Sequence, residues 1–177
     1  MKRYIKFSVV KLLVFLCFIV LSLACASAPF SKAPEFNVSY EYESENPSVS
    51  ISVEPNWDTR KGGISYFTCI FTNNTNNYSK VVWEESGVYY GNRSYLPFID
   101  GQNYADYNKP MSSSIIPKRS FILRELYSSD QVYYVTGKYG GWRMRTIMDN
   151  SIQIIFQIET DKGKEYVTVN VSYQKEE

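Results

Sequence analysis

The side chains able to do chemistry in this 177-residue chain are its carboxylates, its many aromatics and three cysteines, because it has no histidine. That absence removes Ser-His-Asp and Cys-His catalytic sets, histidine-liganded zinc or haem, and a histidine pH switch. No glycine-rich phosphate loop of the P-loop or dinucleotide kind is present either. Glycoside hydrolysis needs only two carboxylates, and Glu84-Glu85 is the most conspicuous pair. Adjacent residues on a strand point to opposite faces and cannot flank one bond, so the pair reads as solvated strand-edge charge. The run Asp100-Gly-Gln-Asn-Tyr-Ala-Asp106 offers loop oxygens of the kind calcium takes. It lacks the spacing and terminal bidentate glutamate of an EF-hand and reads as a plain loop. No metal or cofactor is expected.

Aromatics make up 16% of the residues, with 16 tyrosines. Trp57, Tyr104, Tyr107, Tyr139 and Trp142 fall in segments read as loops, where an exposed ring can stack on a sugar or grip a peptide. These five are the candidate ligand surface. The competing reading is that they lid the ends of the core, since large aromatics are usually mostly buried.

The cysteines are Cys17, Cys25 and Cys69, and the middle one has an informative setting. Lys2, Arg3, Lys6 and Lys11 precede an unbroken apolar run from Leu12 to Leu21, which Ser22-Leu23-Ala24 closes. A basic start, a short apolar core and small residues at its end describe a secretory signal over residues 1–24. The run is shorter than the ~20 residues a spanning helix needs, which argues against an uncleaved anchor. Leu21-Ser22-Leu23-Ala24-Cys25 resembles the lipobox of bacterial lipoproteins, with Ser22 and Leu23 departing from its usual leucine and small residue. The resemblance implies that Cys25 becomes the first mature residue and carries palmitate-type acyl chains through its sulfur. Two or more such chains make a durable membrane anchor, because each buried methylene adds ~0.8 kcal/mol. Ordinary secretion without a lipid is the alternative, since Ser22-x-Ala24 and Ala24-x-Ala26 also fit a small-x-small cut. A lipid on Cys25 leaves Cys69 alone in the body, so no internal disulfide, thiolate zinc site or iron–sulfur site is expected.

Removing residues 1–24 takes away four of the 19 basic residues and none of the 18 acidic ones, leaving 15 against 18 and a net charge of −3. A nucleic-acid binder would carry a basic face, and nothing longer than Arg60-Lys61 or Lys118-Arg119 is present. Under a bacterial address the Asn-x-Ser/Thr sequons at Asn37, Asn73, Asn77, Asn92 and Asn170 are products of an Asn- and Ser-rich surface.

The elements that must hold these residues are strands. Residues 25–35 read as a tether, which fully extended spans at most ~35 Å. The body, 36–177, is rich in Val, Ile, Thr, Tyr and Phe, a β composition. Phe36, Val38, Tyr40 and Tyr42 alternate with polar residues, as do Val49, Ile51 and Val53 between Pro47 and Pro55, which suits an edge strand. Ile64–Thr72 is apolar or Thr on both faces and reads as a central strand covered on both sides. Ser79–Glu84, Val88–Pro97, Ser120–Tyr127 and Gln131–Thr136 read as further strands, and Asp100–Ser114 as a long loop. Ile152–Thr160 and Glu165–Tyr173, joined through Asp161-Lys162-Gly163, form the clearest hairpin. Eight or nine short strands at this spacing predict an antiparallel β-sandwich preceded by a signal-peptide helix.

Trp83 stands fourteen residues after Cys69, a spacing that resembles the core cysteine and tryptophan of immunoglobulin-like domains. The run Asn73–Ser86 followed by Ile115-Ile116-Pro117 also resembles small β-sandwich lipoproteins of bacterial envelopes. The resemblance implies a lipid-anchored domain outside the cytoplasm, non-enzymatic, that binds or scaffolds an envelope protein or glycan. A carboxylate-dependent glycan hydrolase is the competing expectation, and strand pairing with a partner through an open sheet edge is a third.

Overall fold

The computed structural model describes residues 32–174; the expected signal helix, Cys25 and most of the tether lie outside the described residues. The chain then alternates short and long strands: β1 (Phe36–Tyr42), β2 (Val49–Asp58), β3 (Gly63–Asn73), β4 (Ser79–Val81), β5 (Gly87–Tyr90), β6 (Arg93–Tyr95) and β7 (Pro97–Ile99). It continues with β8 (Ser114–Ile116), β9 (Phe121–Ser128), β10 (Val132–Val135), β11 (Gly141–Met144), β12 (Ser151–Thr160) and β13 (Gly163–Tyr173). One sheet runs β1-β13-β12-β4-β8, with β5 also on β12 and β6 on β5. A second runs β2-β3-β9-β7, and β10 and β11 pair only with each other. Every pairing is antiparallel, and the architecture is an all-β sandwich.

The inward residues of the alternating strands make one core. Ile152, Ile154, Phe156 and Ile158 of β12 and Val167, Val169 and Val171 of β13 bury against Phe67, Cys69 and Phe71 of β3 and Leu126 of β9. Phe71 meets Trp83 and Phe156 edge-to-face at 5.8 and 5.1 Å between ring centroids. Fully burying one such side chain contributes roughly 1.5–3 kcal/mol, so this interior holds the two sheets together without a disulfide. Among the described residues the buried hydrophobic side chains run from Val49 to Tyr173 and form one core cluster.

The edge strand is sealed across the sandwich. On β2, Ile51 and Val53 turn their peptide groups away from β3, and two tyrosines of β1 reach over to them. The Tyr40 hydroxyl accepts the Val53 N–H at 2.9 Å, and the Tyr42 hydroxyl accepts the Ile51 N–H at 3.0 Å. Pro55, next in this alternation, has no N–H to satisfy.

The hairpin β12–β13 forms over the residues expected, β2 is an edge and β3 is central. Four expectations are corrected. Thirteen strands replace eight or nine among the described residues, because several are three residues long. The expected strand Ser79–Glu84 stops at Val81, and Trp83–Glu85 form a 3₁₀ turn that drops the indole into the core. Val88–Pro97 is a hairpin, since Gly91 and Asn92 take φ of 55° and 59° and reverse the chain between β5 and β6. Only one face of β3 is fully covered: Phe67, Cys69 and Phe71 are buried, while Tyr66, Thr68, Ile70 and Thr72 on the other face are half-buried.

Candidate functional site

The half-buried outer face of the four-stranded sheet carries a row of rings. Tyr66 on β3 packs on Tyr127 of β9 at 5.5 Å, and Tyr127 meets Phe98 of β7 at 6.1 Å. Phe98 stacks on Tyr104 at 5.6 Å and 23°, and Tyr104 stacks on Trp142 of β11 at 6.4 Å and 18°. Tyr107 and Tyr134 then close on Trp142 at 5.8 and 5.3 Å. Three of the five residues expected as a ligand surface, Tyr104, Tyr107 and Trp142, are therefore brought together. Their elements differ: Tyr104 and Tyr107 come from the 3₁₀ turn Tyr104–Asp106 and its cap, which Asn103 holds by accepting the Ala105 N–H at 3.0 Å.

Trp142 sits on the hairpin β10–β11, which is fastened to the sandwich at its base. Gln131, 1% exposed, donates from its amide nitrogen to the carbonyls of Ser65 and Arg145 at 2.9 Å each. Its side-chain oxygen accepts the Ser128 N–H at 2.8 Å, and its main-chain carbonyl accepts the Arg145 N–H at 2.9 Å. Asp130 beside it accepts from the Ser128 hydroxyl at 2.7 Å, from Arg145 at 3.1 Å and from the Tyr90 hydroxyl. Burial, and then the bond to Asp130, push the Tyr90 phenol well above its ordinary range. Past the hairpin, Ile64 and Ile147 exchange main-chain hydrogen bonds of 2.9 and 2.8 Å. Gly63 makes that approach possible, since a Cβ there would meet the Ile147 carbonyl at 2.7 Å.

The row and the hairpin differ in charge. On the sheet, Tyr127 donates to Glu125 at 2.7 Å, and burial followed by this bond raises its phenol pKa. Along residues 131–148 there are three cations, Lys138, Arg143 and Arg145, and no carboxylate. Arg145 pairs with Asp130, whereas Lys138, Arg143 and the neighbouring Arg60 have no carboxylate partner among the described residues. Arg143 instead donates to the carbonyls of Trp142 and Tyr139.

The other expected residues lie elsewhere. Trp57 is not in a loop: it is on β2, packed edge-to-face on Phe36 and Tyr173 at 6.1 and 5.3 Å, and lids the core. Tyr139 is 81% exposed at the hairpin tip beneath the Lys138 ammonium. Glu84 and Glu85 belong to the 3₁₀ turn, and Glu85 is engaged by Lys164 at 2.8 Å and Tyr166 at 3.4 Å. Asp100 accepts the Glu125 N–H at 3.0 Å and Asp106 pairs with Lys109 at 2.7 Å, so both ends of the acidic loop are taken by the chain's own donors. Among the described residues no group of three His, Cys, Asp or Glu is placed to hold a metal ion. Cys69 is fully buried and its thiol pKa is raised by that burial, a setting that keeps it inert.

Four further rings belong to the row beside the expected ones: Tyr66, Phe98, Tyr127 and Tyr134. For Tyr66 and Tyr127 the signal is alternation, because each is half-buried beside a buried neighbour (Phe67, Leu126). Phe98 is itself buried on a three-residue strand and Tyr134 lies beside an exposed Tyr133, so alternation does not mark them. No family model matches the chain and no curated protein matches it.

Proposed function

We propose that the chain is a non-enzymatic binding module of a bacterial cell envelope, anchored by a lipid on Cys25, whose ring-lined sheet face docks an envelope protein. The observation that carries this reading is the row from Tyr66 to Trp142, a continuous series of ring contacts in which half-buried or exposed Tyr66, Tyr127, Tyr104 and Trp142 surround the buried Phe98. Tyr, Trp and Arg are the residues enriched in the energetic centres of protein interfaces. Rings already locked against one another lose little freedom on docking, which favours affinity. A protein partner is favoured over a glycan because sugar stacking needs an open ring face. Trp142 has Tyr104 parallel to it and Tyr107 and Tyr134 packed against it.

Two experiments test the reading. Cells fed a clickable fatty acid should label the wild-type protein and not Cys25→Ser; an unlabelled wild type removes the anchor. A photo-reactive residue replacing Tyr107 should trap a discrete protein adduct in intact cells, while one replacing Lys162, in the far β12–β13 turn, should not. Adducts to glycan alone, or equal adducts from both positions, would remove the protein-docking role.

A further inference from the structure

We propose that the tip of the β10–β11 hairpin seats in the headgroup layer of an anionic lipid bilayer. The hairpin is exposed on both of its faces. Tyr133 and Tyr134 point to opposite sides and are 43% and 57% exposed, and Val135 and Tyr139 follow at 38% and 81%. A partner surface laid on one face of a two-stranded ribbon leaves the other face in water. A headgroup layer surrounds the ribbon, and tyrosine suits that layer because its ring is apolar and its hydroxyl is wet.

Charge gives the sign of the lipid. Lys138, Arg143 and Arg60 lack carboxylate partners among the described residues, and Lys61 donates to the Met144 carbonyl at 3.1 Å, which brings the basic β2–β3 turn against β11. Residues 58–61 and 130–145 together carry five cations against two carboxylates, a net charge of +3, whereas the body as a whole has an acidic balance. The two carboxylates are Asp58, which pairs with Lys61 at 3.8 Å, and Asp130, which pairs with Arg145. Each such cation near an anionic leaflet adds attraction that salt screens.

Position is a third observation. Phe36, where the chain enters the sandwich, packs on Trp57 and Tyr173 at 6.1 and 5.4 Å, and Tyr173 donates to the Met148 carbonyl at 3.3 Å. Ile147 in turn bridges to Ile64. Chain entry and hairpin base therefore share one end of the sandwich. This point bears on the membrane only through the N-terminal lipid anchor proposed above, whose tether joins the sandwich at that end. The exposure and the charge of the hairpin do not depend on it.

The test uses residues 32–177, which contain the core cluster from Val49 to Tyr173 and lack Cys25, so it fails or succeeds separately from fatty-acid labelling of Cys25. Tyr139→Trp adds a fluorophore at the tip, read as the difference in emission from the unsubstituted domain, which carries Trp57, Trp83 and Trp142. With phosphatidylglycerol–phosphatidylcholine vesicles, the reporter emission should shift to the blue and be quenched by lipids brominated high on the acyl chain. Co-sedimentation should fall as salt is raised and be far weaker on pure phosphatidylcholine. Lys138→Glu, which reverses an exposed charge at the tip, should weaken binding about tenfold or more, and Arg143→Glu should do the same. Absence of quenching, equal binding to neutral vesicles, or binding unchanged in both charge reversals would overturn the proposal. Binding to an acidic polypeptide such as polyglutamate in place of the vesicles would overturn it in favour of a protein groove.

Discussion

Gln131 and Arg145 are joined twice: the Gln131 amide donates to the Arg145 carbonyl, and the Arg145 N–H donates to the Gln131 carbonyl, each at 2.9 Å. The same buried amide reaches Ser65 on β3, so one side chain fastens the entry and exit of the aromatic hairpin to the sheet. Replacing it with alanine strands several buried carbonyls, each at a cost of roughly 1–3 kcal/mol. Gln131→Ala should therefore lower stability by about 2–4 kcal/mol in urea unfolding. Amide exchange along β10 and β11 should rise more than along β12. Uniform protection across the variant would show that the hairpin is held by its rings alone.

Tyr40 and Tyr42 seal the edge of β2, which predicts an effect on association as well as on stability. Each phenylalanine substitution removes the acceptor for a strand N–H, about 1 kcal/mol by ordinary hydrogen-bond energetics. The double variant Tyr40→Phe/Tyr42→Phe leaves Ile51 and Val53 with bare edge amides, a template for pairing with another chain. Sedimentation should detect concentration-dependent self-association absent from the wild type.

Cys69 has its thiol in the core, where the Sγ donates weakly to the Phe67 carbonyl at 3.9 Å. In residues 32–177 it is the single cysteine, so alkylation reports on unfolding directly. The rate of labelling should follow global unfolding across a urea series. Fast labelling in native buffer would mean that β3 opens locally.

Tyr90 supplies the pH dependence. Its phenol holds its proton more tightly in the fold than in the unfolded chain, so its contribution is complete below the ordinary tyrosine pKa, about 10, and is lost as pH rises above it. Tyr127 shifts in the same direction through burial and Glu125. The melting temperature should fall steeply above about pH 10, and Tyr90→Phe should flatten that fall. Identical alkaline profiles would assign the loss to other groups.

Much of the sandwich is legible in the sequence because alternation directly encodes which strand face is buried. Phe36 to Tyr42, Val49 to Val53 and the β12–β13 pair appear where period two places them. The short strands are not legible, since three residues such as Pro97–Ile99 are too few for a period. Trp83 shows a related limit: its burial is encoded by its type, but the 3₁₀ turn that delivers it is set by packing on Phe71 and Phe156. The site was half visible. Tyr104, Tyr107 and Trp142 stood out as aromatics between strands, whereas Tyr66 and Tyr127 sit inside strands and gain meaning only from cross-strand neighbours. Trp57 misleads because Pro55 reads as the end of the strand, whereas β2 runs on to Asp58 and the period of Val49, Ile51 and Val53 carries the indole to the core side.

The role of the ring row is tested most directly by crosslinking yield. With the photo-reactive residue at position 107, the wild-type background should give a discrete protein adduct in intact cells. Adding Tyr104→Ala or Trp142→Ala, which removes a central ring, should reduce that adduct at least about tenfold, as truncating an interface anchor costs 2 kcal/mol or more. The same adduct at undiminished yield in both ring variants, with the fold intact by thermal unfolding, would contradict the account.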